Sequence, residues 1–223
     1  MSLRELASLS LEARRVMLDQ LLEGLPEWLE LIDPTLLQPR FRDRRRDETW
    51  RLFAGGRFEM GATDDRLLRL AQMQVRHPMR MSFEGMHAPA RTVELSPFLL
   101  MEHVVLDGDE PRYAITEHKK TAEKAVQERG ARLPTEAEWE FAWRAVQAQR
   151  EHWRLGECEL CADGWRSDLS ELGDVDPLIP GGPEVLRTAS FDPEEIESVF
   201  PMRKPLSGLR IATVRAALSV REV

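Results

Sequence analysis

Cysteine is scarce in this 223-residue chain: there are two, Cys158 and Cys161. They lie too close in sequence to staple a fold, which excludes a secreted disulfide framework. Long apolar runs are lacking too; none approaches the roughly 18 residues that a membrane helix needs. Net positive charge is missing: 31 Lys and Arg against 39 Asp and Glu leave −8, with an isoelectric point near 5.3. That balance argues against general binding to nucleic acid or to a membrane surface. The five histidines, His77, His87, His103, His118 and His152, show neither H-x-x-x-H nor H-E-x-x-H spacing, so no zinc-protease motif is present. Arg4, Glu5, Glu12, Arg14 and Arg15 interrupt what would be the apolar core of a signal peptide, and the expected location is cytoplasmic.

What is present is clearest between Ala131 and Arg144, ARLPTEAEWEFAWR. Gly130 closes a preceding polar helix, Pro134 prevents its continuation, and Thr135 with Glu138 gives the T-x-x-E spacing of a capping box. A helix is predicted from Glu136, with Trp139, Ala142, Trp143 and Val146 forming one apolar stripe. Glu136, Glu138 and Glu140 put negative charge in the first turn, where the helix dipole favours it.

The rest of the chain divides at about residue 48. Residues 1–48 read as a helical extension and an Arg-rich linker. A first helix starts at the cap Ser10, runs Leu11, Leu18, Leu21, Leu22 and Leu25 along one face, and ends at Gly24 and Pro26. A second short helical piece is expected from Glu27 to Ile32. The apolar face of this pair must dock on its own domain or on a partner. Pro39 to Asp47 carries five arginines, Arg40, Arg42, Arg44, Arg45 and Arg46, and reads as a solvated linker. Residues 49–223 change to short extended pieces: two strand fragments around Gly55-Gly56, then a strand pair from Thr92 to Leu106 with Pro97 between. Helical spacing is expected from Asp64 to Val75 and from Thr116 to Arg129, separated by a Met- and Pro-rich loop, Arg76 to Ala90. His103 falls in the strand pair and reads as packed or at an edge.

R-L-P-T-E-A-E-W-E-F-A, Arg132 to Ala142, resembles the signature of the formylglycine-generating enzyme family, the sulfatase-modifying factors. Other blocks follow in the family's order. Phe58 to Gly61 is similar to its F-x-M-G opening strand, and Thr92 to Leu106 to its V-x-L-x-x-F strand pair. Leu155 to Trp165 is similar to its G-N-V-W-E-W-C-x-D strand with both tryptophans replaced, Leu186 to Phe191 to L-R-G-G-S-W, and Gly208 to Ala212 to its closing G-F-R-x-A strand. The resemblance implies an α+β, C-type-lectin-like fold, irregular and with short strands, over residues 49–223.

The family's enzymes oxidise a substrate cysteine using copper(I), held by two cysteines shortly after the L-R-G-G-S-W strand; soft thiolates suit that ion. From Arg187 to Val223 this chain has no cysteine. The family's calcium-binding insertion after the capped helix is also missing, since only Val146 to Arg154 stands there. The expectation is a catalytically inactive scaffold without cofactor that binds a protein partner, as an accessory or sensor subunit of a bacterial multi-protein system for defence or signalling. Hetero-complex and homo-oligomer both remain open. The alternative is an active copper-dependent oxidase or a relative with altered oxidative chemistry. Candidate partner contacts are Arg44, Arg45 and Arg46, and Met79, Met81, Phe83, Met86 and His87 of the loop. Arg187, Ser190 and Arg203 are candidates for a residual pocket or for structural hydrogen bonds. Cys158 and Cys161 form a C-x-x-C whose redox or metal use is disfavoured, because strand positions three apart face opposite sides.

Overall fold

Leu11–Glu23 forms helix α1, and the Ser10 hydroxyl accepts a hydrogen bond from the Ala13 amide at 3.2 Å, the N-cap that the sequence implies. In the computed structural model the described residues are 10–33, 38–61, 91–105, 113–114, 119–148, 159–164, 184–189, 201–205, 211–212 and 214–220. The expected helix over Asp64 to Val75 and the Arg76 to Ala90 loop lie outside them.

A five-stranded sheet in the order β1-β2-β3-β6-β12 is the centre of the fold. Its strands are β1 (Leu29–Asp33), β2 (Arg40–Asp43), β3 (Glu48–Phe53), β6 (Phe98–Met101) and β12 (Ala217–Ser219). Two sequence expectations are corrected here. The helical piece over Glu27 to Ile32 is instead strand β1, whose Leu29 is buried while Glu30 and Ile32 are exposed. The Arg-rich stretch is no solvated linker: it is β2 and the turn to β3. Along β2 the buried Phe41 and Asp43 alternate with Arg40 and Arg42, a period of two that its arginine content conceals. Since β1 pairs with β2 and β2 with β3, the sheet runs across residue 48.

Both faces of the sheet are buried. On one, the register partners Phe41, Trp50 and Met101 cluster with Leu18 of α1 and with Ala122 and Val126 of helix α2 (Lys119–Gln127). Leu18 and Leu22 of α1, with Leu25 just beyond it, therefore pack on the chain's own core. On the other face, Phe53, Phe98, Leu100 and Ala217 pack against helix α3 (Glu136–Ala148) and the hairpin of β4 (Gly56–Met60) with β5 (Arg91–Leu95). Gly55 makes the β3–β4 turn possible: its φ is +67°, and a Cβ there would overlap the carbonyl oxygens of Leu95 and Ser96, so only glycine fits.

α2 ends as the sequence predicts. Gly130, at φ +71°, donates to Gln127 O at 2.8 Å, and Ala131 donates to Val126 O at 3.0 Å, the two bonds of a Schellman motif. The hairpin turn after β2 reinforces that end. Arg45 Nη2 donates to Arg129 O at 3.1 Å and Arg46 Nη2 to Glu128 O at 3.4 Å, placing positive charge on the negative end of the helix dipole.

Outside the central sheet, β8 (Glu159–Gly164), β9 (Glu184–Ala189) and β10 (Pro201–Pro205) form a three-stranded sheet in the order β10-β9-β8. β7 (Tyr113–Ala114) pairs with β11 (Ile211–Ala212). Every strand pair among the described residues is antiparallel. The molecule is thus a mixed α+β fold of antiparallel sheets with few helices.

Candidate functional site

Guanidinium–carboxylate pairs recur through the described residues, and three clusters of them tie together elements distant in the chain. The first is at the N-terminus of α3. Glu138 Oε2 accepts from the Thr135 amide at 2.8 Å, and Thr135 Oγ1 accepts from the Glu138 amide at 3.1 Å, closing the capping box reciprocally. Arg132 then grips the same carboxylate with two bonds, 2.7 and 2.5 Å, and also donates to Ser219 Oγ of β12. Backbone bonds between Arg132 and Ala217 run in both directions, at 2.9 and 2.7 Å, and the Ala162 amide of β8 donates to Pro134 O at 2.9 Å. The capped turn therefore joins α3, β8 and β12.

The glutamates of α3 are interior groups: Glu136, Glu138 and Glu140 are as buried as its tryptophans. Glu140 accepts from Arg144 at 2.5 Å and from the Gly61 amide at 2.9 Å. An amphipathic stripe predicts one buried side, but α3 lies under the sheet on one side and against the β4–β5 hairpin and β8 on others.

The second cluster centres on Glu102, just past β6. Its carboxylate accepts from Arg40 Nη2 at 2.7 Å and from Arg51 Nε. Burial alone would raise its pKa, but the bonds from Arg40 and Arg51 outweigh burial and hold it below the ordinary glutamate value. The third cluster is the most enclosed. Arg215 Nε and Nη2 each reach Glu159 at 2.9 Å, a bidentate pair whose side chains are both 1% exposed. Arg215 Nη1 donates to Met101 O at 2.7 Å and to Glu102 O at 2.5 Å. It thereby ties β8 to the end of β6 and to the second cluster.

Arg44, Arg45 and Arg46 occupy the β2–β3 turn and have bonds within the chain. Arg44 donates to Glu27 O, and Arg45 pairs with Asp43 at 2.9 Å and stacks over Trp28 at 3.7 Å. Asp43 is buried, which would raise its pKa, yet the bonds from Arg45 lower it. Arg187 and Arg203 are register partners in the β9–β10 ladder. Cys161, on β8, is fully buried, which shields a thiol from reagents. Cys158, Ser190, Met79, Met81, Phe83, Met86 and His87 lie outside the described residues. His103 stands in a bend beyond β6 and is exposed rather than packed. Sequence reasoning missed Arg215 and Glu102 altogether, since each acts through partners distant in the chain and neither sits in a recognisable local pattern.

Each carboxylate that centres a cluster is thus already neutralised by a guanidinium, an arrangement that fixes elements rather than moving protons. Among the described residues no group of three or more His, Cys, Asp or Glu is placed to hold a metal ion, and no helix is long and apolar enough to cross a membrane. Comparison with protein-family models gives no match, and comparison with curated proteins gives none either.

Proposed function

We propose that this chain is a catalytically inactive, shortened relative of the formylglycine-generating enzymes. On this reading it is a C-type-lectin-like scaffold that binds a protein partner in the cytoplasm as an accessory or sensor subunit of a bacterial multi-protein system. The observation that carries the reading is the commitment of the signature's polar residues to architecture. Arg132, Thr135 and Glu138 bond to one another and to β12, and Glu159 is enclosed by Arg215. The lack of any cysteine from Arg187 to Val223 supports it, because the copper(I) chemistry of the resembling enzymes rests on a thiolate pair there. The Met- and Pro-rich segment Arg76 to Ala90 is the proposed contact surface, since methionines adapt to a partner's shape.

Two measurements test this reading. Purified protein incubated with copper and a C-x-P-x-R peptide is expected to leave the peptide thiol intact; copper-dependent aldehyde formation would establish the oxidase alternative instead. In capture experiments from the native host, the full chain is expected to recover a defined partner that Met81→Lys/Phe83→Lys loses. Recovery of no partner by the unaltered chain refutes the binding role.

A further inference from the structure

Three consecutive arginines form the β2–β3 turn, and the structure gives them two different roles. Arg45 is committed to the fold: its Nε and Nη2 reach the two oxygens of Asp43 at 3.1 and 2.9 Å, Nη2 also bonds Arg129 O, and the guanidinium lies over Trp28. Arg44 and Arg46 are exposed. Each uses one nitrogen, Nη2, on a backbone carbonyl, that of Glu27 for Arg44 and that of Glu128 for Arg46. Neither has a carboxylate partner among the described residues, whereas Arg40, Arg42, Arg45 and Arg51, the other arginines of β2, the turn and β3, each hold one. A guanidinium has five N–H donors, so most of those on Arg44 and Arg46 face solvent without a protein acceptor.

The turn that carries the two side chains is closed by Asp43. Its backbone oxygen accepts from the amides of Arg46 and Asp47 at 3.3 and 2.8 Å, and its buried carboxylate accepts from the Arg45 amide at 2.8 Å. Asp47 completes the turn at φ 58°, a left-handed conformation in which Asp is enriched. Groups fixed before binding lose little freedom on binding.

From this arrangement we infer that Arg44 and Arg46 are a docking point for a carboxylate-bearing segment of the protein partner. The inference rests on the partner-binding reading and gives that partner a chemistry. Guanidiniums recognise carboxylates through charge-assisted, geometrically specific bonds. The surroundings favour a peptide over nucleic acid. Exposed Glu27, Asp47 and Glu128 stand beside the pair in a chain of net charge −8, so an extended polyanion meets repulsion on either side, while one or two carboxylates reach the guanidiniums at short range.

The test uses the full chain and a fluorescent peptide with two glutamates, GSEAESG, with GSKAKSG and a short single-stranded RNA as comparison ligands. Saturable binding of GSEAESG that weakens with added salt is expected. Its affinity should fall about threefold in Arg44→Ala or Arg46→Ala and about tenfold in Arg44→Ala/Arg46→Ala, and less in Arg44→Lys/Arg46→Lys, which keeps the charge but loses the fork. Arg15→Ala removes the same charge from the exposed side of α1 and should bind as the unaltered chain does. Thermal midpoints of the Ala and Lys variants separate lost recognition from lost folding.

Any of four results overturns the site: no GSEAESG binding by the unaltered chain, full binding by Arg44→Ala/Arg46→Ala, an equal loss in Arg15→Ala, or RNA bound in preference to the peptide. In capture from the native host, a partner retained by Arg44→Ala/Arg46→Ala and lost by Met81→Lys/Phe83→Lys removes this site and leaves the partner-binding role standing. Arginine-dependent peptide binding with no partner recovered keeps the carboxylate site and removes the subunit reading.

Discussion

Arg215 directs all three guanidinium nitrogens into the protein interior, to Glu159, Met101 O and Glu102 O. Removing one member of so enclosed a pair leaves an uncompensated buried charge, which costs about 3–5 kcal/mol. Glu159→Gln should therefore lower stability by that order in urea unfolding, while Glu159→Leu/Arg215→Met should lose clearly less than the sum of its single variants. Additive losses would show that the pair does not act as a unit. Glu102 gives a pH signature. Its folded pKa lies below the unfolded value, so its contribution is fully present above about pH 4.3 and is lost as pH falls through the depressed folded value. Urea midpoints of the unaltered chain and of Glu102→Gln should differ at neutral pH and converge as pH falls through that depressed value. A gap that stays constant would contradict the assigned partners.

At the scale of elements, local signals and distant ones separate cleanly. The Ser10 cap, the Schellman ending at Gly130, the capping box at Thr135 and Glu138, and the break at Pro97 are all legible in sequence, because each is satisfied within a few residues of itself. β1 and β2 are not. Glu27 to Ile32 has helix-compatible residues, and it becomes a strand because Leu29 and Leu31 pair with Asp43 and Phe41, a gain that no local window contains. The Arg215–Glu159 pair is illegible for the same reason, its members lying 56 residues apart. Thr135→Ala tests the local side: losing the cap should cost about 1 kcal/mol. Because Glu138 also holds Arg132, the variant should additionally raise amide exchange at Ala217. Exchange confined to the first turn of α3 would mean that the cap acts on the helix alone.

For the whole molecule, the sheet overrides the division at residue 48. Deleting residues 1–48 removes α1, β1 and β2, and with them Leu18, Leu29 and Phe41 from the cluster that buries Trp50 and Leu52. Burying a large apolar side chain contributes about 1.5–3 kcal/mol, so the loss of these three is comparable to the roughly 5–15 kcal/mol of net stability typical of a domain. The truncated chain should lack a cooperative thermal transition and aggregate on size exclusion. A monomeric product with the full-length midpoint would instead restore the picture of a detachable extension. For partner mapping, point substitutions on the intact chain are therefore the sound choice.

β12 has a consequence for how the protein comes into being. The residues that complete the central sheet, Val214 to Val220, come last among the described ones, yet they contact Met101, Glu102 and Arg132; Arg215 reaches back 114 residues to Met101. Closure over such separations is entropically slow. A nascent chain emerging from the ribosome keeps the β6 edge of its sheet open until this stretch has been made. During that interval the strand FLLM is exposed to other chains, so the protein's yield in the cell should depend on chaperones that cover it.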